Sequence, residues 1–247
     1  MVKYILLGII QGLTEFLPVS SSGHLVIAQK LLGMSGEEIA LGVILHLGTL
    51  FAVIAFFFKD ILKLLRDIKS IGLILIVTFI TGVIGVLGKD FFESLFSLPK
   101  LVAISFVITG IILFSTRKFI QAKKDKVELK DAIILGFTQA ISIIPGISRS
   151  GTTISTLLFR RIDKEASFRF SFLVSIPIIL GVALVEVRKI DFAVRNNFVN
   201  LFSGFIFSLL AGLAALWLLK LTIKKAKFYC FGYYCILIAA LTLIFIK

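Results

Sequence analysis

Gln11 and Glu15 stand four residues apart, a spacing that puts both side chains on one face of a helix. Pro18 then breaks that helix, and Ser20, Ser21, Ser22, Gly23 and His24 follow. Hydroxyls and backbone amides in such a run cap the next helix, whose N-terminus favours an anion. His24 stands at the start of that helix, where it can act as nucleophile or general acid–base near neutral pH. A second stretch, PGISRSGTT from Pro145 to Thr153, supplies the opposite charge through Arg149. A planar guanidinium grips phosphate oxygens bidentately. Gly146 and Gly151 let backbone approach a ligand, and Ser148, Ser150, Thr152 and Thr153 add hydroxyls at another helix N-terminus. Carboxylate, imidazole, guanidinium and hydroxyls together suit phosphate chemistry, with donors aimed at developing negative charge. The plainer alternatives are that Ser20 is an ordinary cap and that Glu15 and His24 form a structural bridge.

The elements that carry these residues belong to a membrane protein. Of the 247 residues, 58% are hydrophobic, and mean hydropathy is +1.06. A soluble chain of this size would need a largely polar surface that this composition does not provide. Arg149 and Glu15 must therefore be held at membrane depth, where an unpaired charge costs about 2.5–3.5 kcal/mol on insertion scales and usually marks a functional site. The net charge of +13 sits in short loops between apolar runs, which points to a membrane topology signal and no nucleic-acid partner. The N-terminal run MVKYILLGII lacks a small-residue cleavage site and is expected to stay in the chain. Cys230 and Cys235 fall on different sides of one helix and read as apolar filler.

A span needs roughly 20 apolar residues. Six segments approach this, at 39–58, 71–88, 100–115, 168–187, 198–219 and 228–246. Residues 4–33 and 131–160 instead form short apolar stretches interrupted by proline and small polar residues. Each is expected to be a re-entrant helix hairpin, tolerated at depth only inside protein or along a wet cavity. Basic residues concentrate in 59–70, 116–130, 160–169 and 220–227, which places these four regions on the cytoplasmic side. The first hairpin then enters from outside, the second from the cytoplasm, and both termini lie outside. Sliding the chain by 128 residues superposes Ile5, Leu7, Gly8, Gln11, Ser20, Ser22 and Gly23 on Ile133, Leu135, Gly136, Gln139, Ser148, Ser150 and Gly151. The expected architecture is an all-α polytopic membrane domain of six spanning helices plus two re-entrant hairpins. It is an inverted-topology repeat of residues 1–120 and 131–247.

QGLTEFLPVSSSGHL (residues 11–25) and PGISRSGTT resemble the two signature motifs of the undecaprenyl-diphosphate phosphatase family, the bacitracin-resistance type. RFSFLVSIPIILG (residues 169–181) is similar to that family too, and the pattern of spans extends the likeness over the whole chain. The resemblance implies hydrolysis of the C55 isoprenoid diphosphate to the monophosphate that carries peptidoglycan precursors. It implies a site opening on the outer face of a bacterial cytoplasmic membrane. Glu15, Ser21, His24 and Arg149 match its catalytic positions. Gln11, Ser20, Ser22, Ser148, Ser150 and Thr153 are the expected substrate contacts. Many members carry glutamate where this chain has Gln11, which leaves Glu15 the remaining acid for the Mg²⁺ or Ca²⁺ associated with the family. His24, Ser21 or an activated water remain open as nucleophile, and a homodimer remains open as assembly.

A lipid-phosphate flippase on the same inverted-repeat scaffold is the competing reading, since broken helices and inverted repeats also build transporters. Binding without bond cleavage would not need Glu15 and His24 beside a phosphate clamp. The soluble-type acid lipid phosphatases share SGH and SR fragments, but their Lys-x6-Arg-Pro and downstream His-x3-Asp motifs are missing here. Elsewhere, His46 is expected either to line the cavity or to be satisfied by a neighbouring helix. Glu186 is expected to face water at the end of a span. Trp217 is expected to anchor an interface, and Gly204 and Gly212 to permit close helix packing.

Overall fold

A computed structural model describes residues 1–33, 38–119, 121–186 and 198–245. The side chain of Glu186, together with Arg188, Lys189 and Arg195, lies outside the described residues. Among the described residues twelve α-helices follow in order: α1 (Val2–Phe16), α2 (Ser21–Leu31), α3 (Glu38–Phe56), α4 (Phe58–Leu64), α5 (Ile68–Leu87), α6 (Lys89–Leu95), α7 (Pro99–Ser115), α8 (Leu129–Ile141), α9 (Arg149–Phe159), α10 (Lys164–Glu186), α11 (Phe198–Lys224) and α12 (Phe231–Phe245). No strand occurs among the described residues.

Among the described residues four helices are long and apolar enough to cross a membrane: Ile68–Leu87, Pro99–Lys118, Lys164–Val185 and Phe198–Lys224. The pair Ala40–Phe56 and Phe58–Leu64 makes a fifth if counted as one, but it bends by 74°. The apolar arm of that pair is therefore only about 25 Å long at 1.5 Å per residue, and α4 turns aside with Lys59 and Lys63. The last segment, Phe228–Ile244, is apolar but shorter. The expectation of six full-length spans is thus met by four, or five with the bent pair, because Phe57 ends α3 early and α12 is short. Phe79, Leu87, Leu184 and Leu243 stand exposed on these helices, an outer surface that suits lipid. Trp217 is exposed too, one turn before Lys220.

The four basic regions meet at one end of the molecule. Arg169 pairs with Asp60 at 3.2 Å and Lys224 with Glu165 at 3.4 Å. The Asp163 N–H donates to the Lys124 carbonyl and the Lys123 N–H to that of Arg161. Arg117, Lys164, Ala226 and Tyr229 line a shared cleft. At this end Asp131, at the start of α8, accepts from Lys124 (2.5 Å) and from Arg160 after α9 (2.7 Å). The two ends of the second hairpin are thereby tied together.

The first hairpin is tied at the other end. Lys3 donates to the Leu32 carbonyl at 2.7 Å, joining the start of α1 to the end of α2. Tyr4 and Leu7 pack with Leu41, Leu45 and Leu201, at the ends of α3 and α11 remote from the basic cluster. Along its length α1 lies against α11, and α8 correspondingly lies against α5. The α1–α11 crossing is close because it is built on small residues: a Cβ on Gly8 would sit 2.5 Å from the Gly204 carbonyl oxygen. Gly212 likewise accommodates the Phe16 ring. α11 also packs along α3, and α7 packs with α12.

Candidate active site

The tips of the two hairpins meet between the tied ends. Ser150 Oγ donates to the Leu17 carbonyl at 3.2 Å. A Cβ on Gly23 would lie 3.0 Å from the Gly146 Cα, and one on Gly151 would lie 3.3 Å from the Pro18 Cβ. The turns that allow this contact use Gly146 at φ +93° and Ser20 at φ +67°. Ser20 is not a glycine, and this backbone region costs a non-glycine residue of order 1 kcal/mol or more. Its side chain accounts for its presence: Ser20 Oγ accepts from the Gly23 N–H and caps α2. Ser148 caps α9 in the same way, from the Gly151 N–H at 3.1 Å.

Glu15 is the centre of the junction. One carboxylate oxygen, Oε1, accepts from Arg149 Nη2 at 2.5 Å. The other, Oε2, accepts from Ser21 Oγ at 2.5 Å and from Gln11 Nε2 at 3.1 Å. Arg149 and Ser21 are the first residues of α9 and α2, so the carboxylate sits between two helix N-termini, where negative charge is favoured. Arg149 lies over the Phe172 ring at 6.0 Å. Its Nη1 is buried and has no hydrogen-bond partner among the described residues. Gln11 Oε1 is likewise buried and unpartnered.

His24 lies one turn beyond Ser21 on α2. Its Nδ1 is 2.7 Å from the Ser20 carbonyl, an acceptor only, so Nδ1 carries the hydrogen. Nε2 lies 2.9 Å from the Tyr234 hydroxyl. The imidazole is wedged between Phe106, edge-on at 5.1 Å, and Tyr234, stacked at 5.7 Å.

The remaining hydroxyls expected to contact substrate hold the junction together. Ser22 pairs with Ser20, and Ser150 with Ser148. Thr153 is fully buried, donating to the Arg149 carbonyl and sharing a 2.6 Å hydrogen bond with Ser171. His46 Nδ1 donates to the Gly42 carbonyl at 2.8 Å, one turn back on its own helix. Tyr234 and Phe106 had no signal in a Phe-rich, apolar sequence; the 128-residue offset pairs them with each other, since 106 and 234 are equivalent positions. Cys235 is buried and free, its Sγ directed at the Pro18 carbonyl at 3.6 Å, and Cys230 is exposed.

No cluster of three or more His, Cys, Asp or Glu side chains suited to a metal occurs among the described residues. The hard oxygen donors nearby are the Glu15 carboxylate and the buried, unpartnered Gln11 Oε1, whose amide nitrogen donates to Glu15. That set fits Mg²⁺ or Ca²⁺ only if phosphate oxygens and water complete the shell, the usual habit of Mg²⁺ at phosphate sites.

The family model described as bacitracin resistance protein BacA matches residues 4–241. The chain is 40% identical over 250 residues to an undecaprenyl-diphosphatase of Halothermothrix orenii, covering 98% of this chain and 96% of that protein. It is 40% identical over 268 residues to one of Alkaliphilus metalliredigens, with 98% of each covered. A third, from Thermotoga petrophila, is 39% identical over 242 residues, covering 96% of this chain and 98% of the relative. Likeness of this extent, running through both hairpins and the helices around them, makes the chain a member of the bacitracin resistance protein BacA family.

Proposed function

We propose that the chain is an integral-membrane phosphatase that hydrolyses undecaprenyl diphosphate to undecaprenyl phosphate and inorganic phosphate. Its relatives carry that activity in their names, and the reaction recycles the lipid carrier and opposes bacitracin. The observation that carries the reading is the partly buried Arg149, with its buried Nη1 unpartnered, at the point where the N-termini of α2 and α9 converge on Glu15. This is a site for an anion with a nucleophile and its base already in hydrogen-bond contact.

In the proposed mechanism the terminal phosphate takes Arg149 as its clamp. Arg149 turns from Glu15 toward phosphate oxygens, which leaves Glu15 the stronger base. Glu15 Oε2 accepts the proton of Ser21 Oγ as that oxygen attacks the terminal phosphorus. The bond from phosphorus to the bridging oxygen breaks, and the polyprenyl monophosphate departs. Water then displaces the Tyr234 hydroxyl from His24 Nε2, which takes its proton as the water oxygen attacks the phosphoserine; the Ser21 Oγ–phosphorus bond breaks and inorganic phosphate is released. The backbone amides at the α2 N-terminus stabilise the developing charge. Ser21 is favoured over His24 as nucleophile because Ser21 contacts the base, whereas His24 has one nitrogen held by backbone and the other facing Tyr234. Gln11 and Glu15 would hold a divalent cation, which supplies charge neutralisation of the diphosphate when bound.

We read the fold as an inverted repeat with two re-entrant hairpins and the basic end in the cytoplasm. The exchanged packing of α1 on α11 and α8 on α5 supports this, as do the hairpin ends tied at opposite ends of the molecule. In this reading the first hairpin opens to the outer face, and α2, with only Gly23 and Leu25 buried, is the more accessible wall of the site.

The test is phosphate release by purified protein given undecaprenyl diphosphate with Mg²⁺. Wild type is expected to turn over, and Glu15→Ala, Ser21→Ala, His24→Ala and Arg149→Ala to retain only residual turnover, lower by orders of magnitude. A well-folded wild type that binds the lipid without releasing phosphate would overturn the reading and make the flippase the better account.

A further inference from the structure

We propose that Tyr234 is a positioning residue for His24, and that α12 braces the first hairpin in its working geometry. The proposal rests on His24 being the acid–base group of the phosphatase site. A histidine in that role needs one nitrogen tied so that the other presents a defined lone pair or proton. The Ser20 carbonyl ties Nδ1 at 2.7 Å. In the neutral ring this leaves Nε2 as an acceptor, and in the resting site the Tyr234 hydroxyl at 2.9 Å donates to it, holding the ring aimed until the attacking water takes the phenol's place. The two rings are within 9° of parallel, so the phenol fixes the imidazole by contact as well as by hydrogen bond.

The position of the tyrosine supports the assignment. Offset by 128 residues, Tyr234 corresponds to Phe106, and these are the two aromatic side chains that flank His24. The α7–α12 pair thus offers the imidazole an aromatic wall from each half of the chain. Only the wall from the second half carries a hydroxyl, and that hydroxyl faces the nitrogen that backbone leaves free. The next residue braces the same hairpin from another side: Cys235 is fully buried and its Sγ points at the Pro18 carbonyl, in the turn before Ser20. Two consecutive residues of α12 therefore hold both sides of the α1–α2 turn. Packing alone would be satisfied by phenylalanine at 234, as it is at 106.

The experiment compares Tyr234→Phe, which keeps the ring and removes the hydroxyl, with wild type in two readouts. In steady-state phosphate release from undecaprenyl diphosphate, Tyr234→Phe is expected to lower kcat by about five- to tenfold, the worth of one neutral hydrogen bond, with KM within about twofold. In a His24→Ala background the same substitution is expected to add nothing, since the two residues act as one unit. A kcat equal to wild type, an equal loss with and without His24, or an effect confined to KM would overturn the proposal. The second readout is independent of turnover: nitrogen spectra of ¹⁵N-histidine-labelled full-length protein in detergent. The chain has two histidines, so His46→Gln assigns the His24 signals. Loss of the phenol is expected to shift the His24 Nε2 resonance and leave Nδ1 in place. An unmoved Nε2 signal would sink the contact itself. A moved signal in a protein without phosphatase activity would instead sink the functional reading and leave the contact standing.

Discussion

The two hairpins share a backbone plan and differ in chemistry. At equivalent positions 128 residues apart, Ser20 and Ser148 cap their helices through the N–H of Gly23 and Gly151, and each pairs with the serine two residues on. Their open ends also correspond. Lys3 reaches Leu32, and the equivalents Asp131 and Arg160 reach each other. Between these fixed points the side chains diverge: Glu15 against Ile143, Ser21 against Arg149, His24 against Thr152. The first hairpin carries the carboxylate, hydroxyl and imidazole, and the second carries the cation. Burial follows the same division. Nine of the eleven residues of α9 are buried, from Ser150 to Leu158, but only two of α2. A buried, tied hairpin can hold an arginine in one place, and a more open one can admit a substrate to the groups that act on it.

If that division is right, replacing Arg149 has the largest effect. Arg149→Lys keeps the charge but not the fork, and phosphate release is expected to fall about a hundredfold or more, with the protein still folded. Near-normal turnover would break the comparison, because the second hairpin would then contribute only a point charge.

The hairpin ends differ next. Asp131 is fully buried between two cations that reach solvent. Asp131→Asn is expected to cost about 3 kcal/mol, toward the low end for a broken buried pair. Lys3→Ala is expected to cost under about 1 kcal/mol, since it removes one exposed hydrogen bond. Thermal unfolding in detergent compares them. Acidification sharpens the same contrast. Burial works to raise the Asp131 carboxyl, but hydrogen bonds and charge from Lys124 and Arg160 hold it below its ordinary value of 3.8. Its contribution is therefore complete at neutral pH and is lost as pH falls below about 4 through the lowered value. Hydrogen exchange near Asp131 is expected to accelerate there before exchange near Lys3 does.

The smallest effects concern the caps. Ser148→Ala and Ser20→Ala should each cost about 1 kcal/mol. Ser20→Gly should come out near neutral, because glycine relieves the φ of +67° while losing the cap. Ser148→Gly has no such strain to relieve, its φ being −77°, and should remain destabilising by a few tenths of a kcal/mol. Melting temperatures of the four variants decide this.

The sequence by itself determined the solvent, the candidate residues of the site and the grouping of the basic loops. These are properties of residue type and local spacing: apolar runs, a proline-broken helix, Gln11 and Glu15 one turn apart, and cations collected in four short stretches. The tertiary structure brought those four stretches to one end through Asp60, Glu165 and Asp131. It also decided which charges meet. Glu15 and Arg149 are 134 residues apart, and no local pattern pairs them. Span lengths were less legible, because hydropathy registers the apolar run at 39–58 but not the 74° bend after Phe56. Least visible was Tyr234, one aromatic among many on an apolar helix. It meets His24 only because α12 packs on α7 and brings its hydroxyl to the nitrogen that backbone leaves free. Spacing along the chain fixes what lies on one helix face; contacts between helices far apart in sequence depend on how whole surfaces pack, and those are settled only in three dimensions.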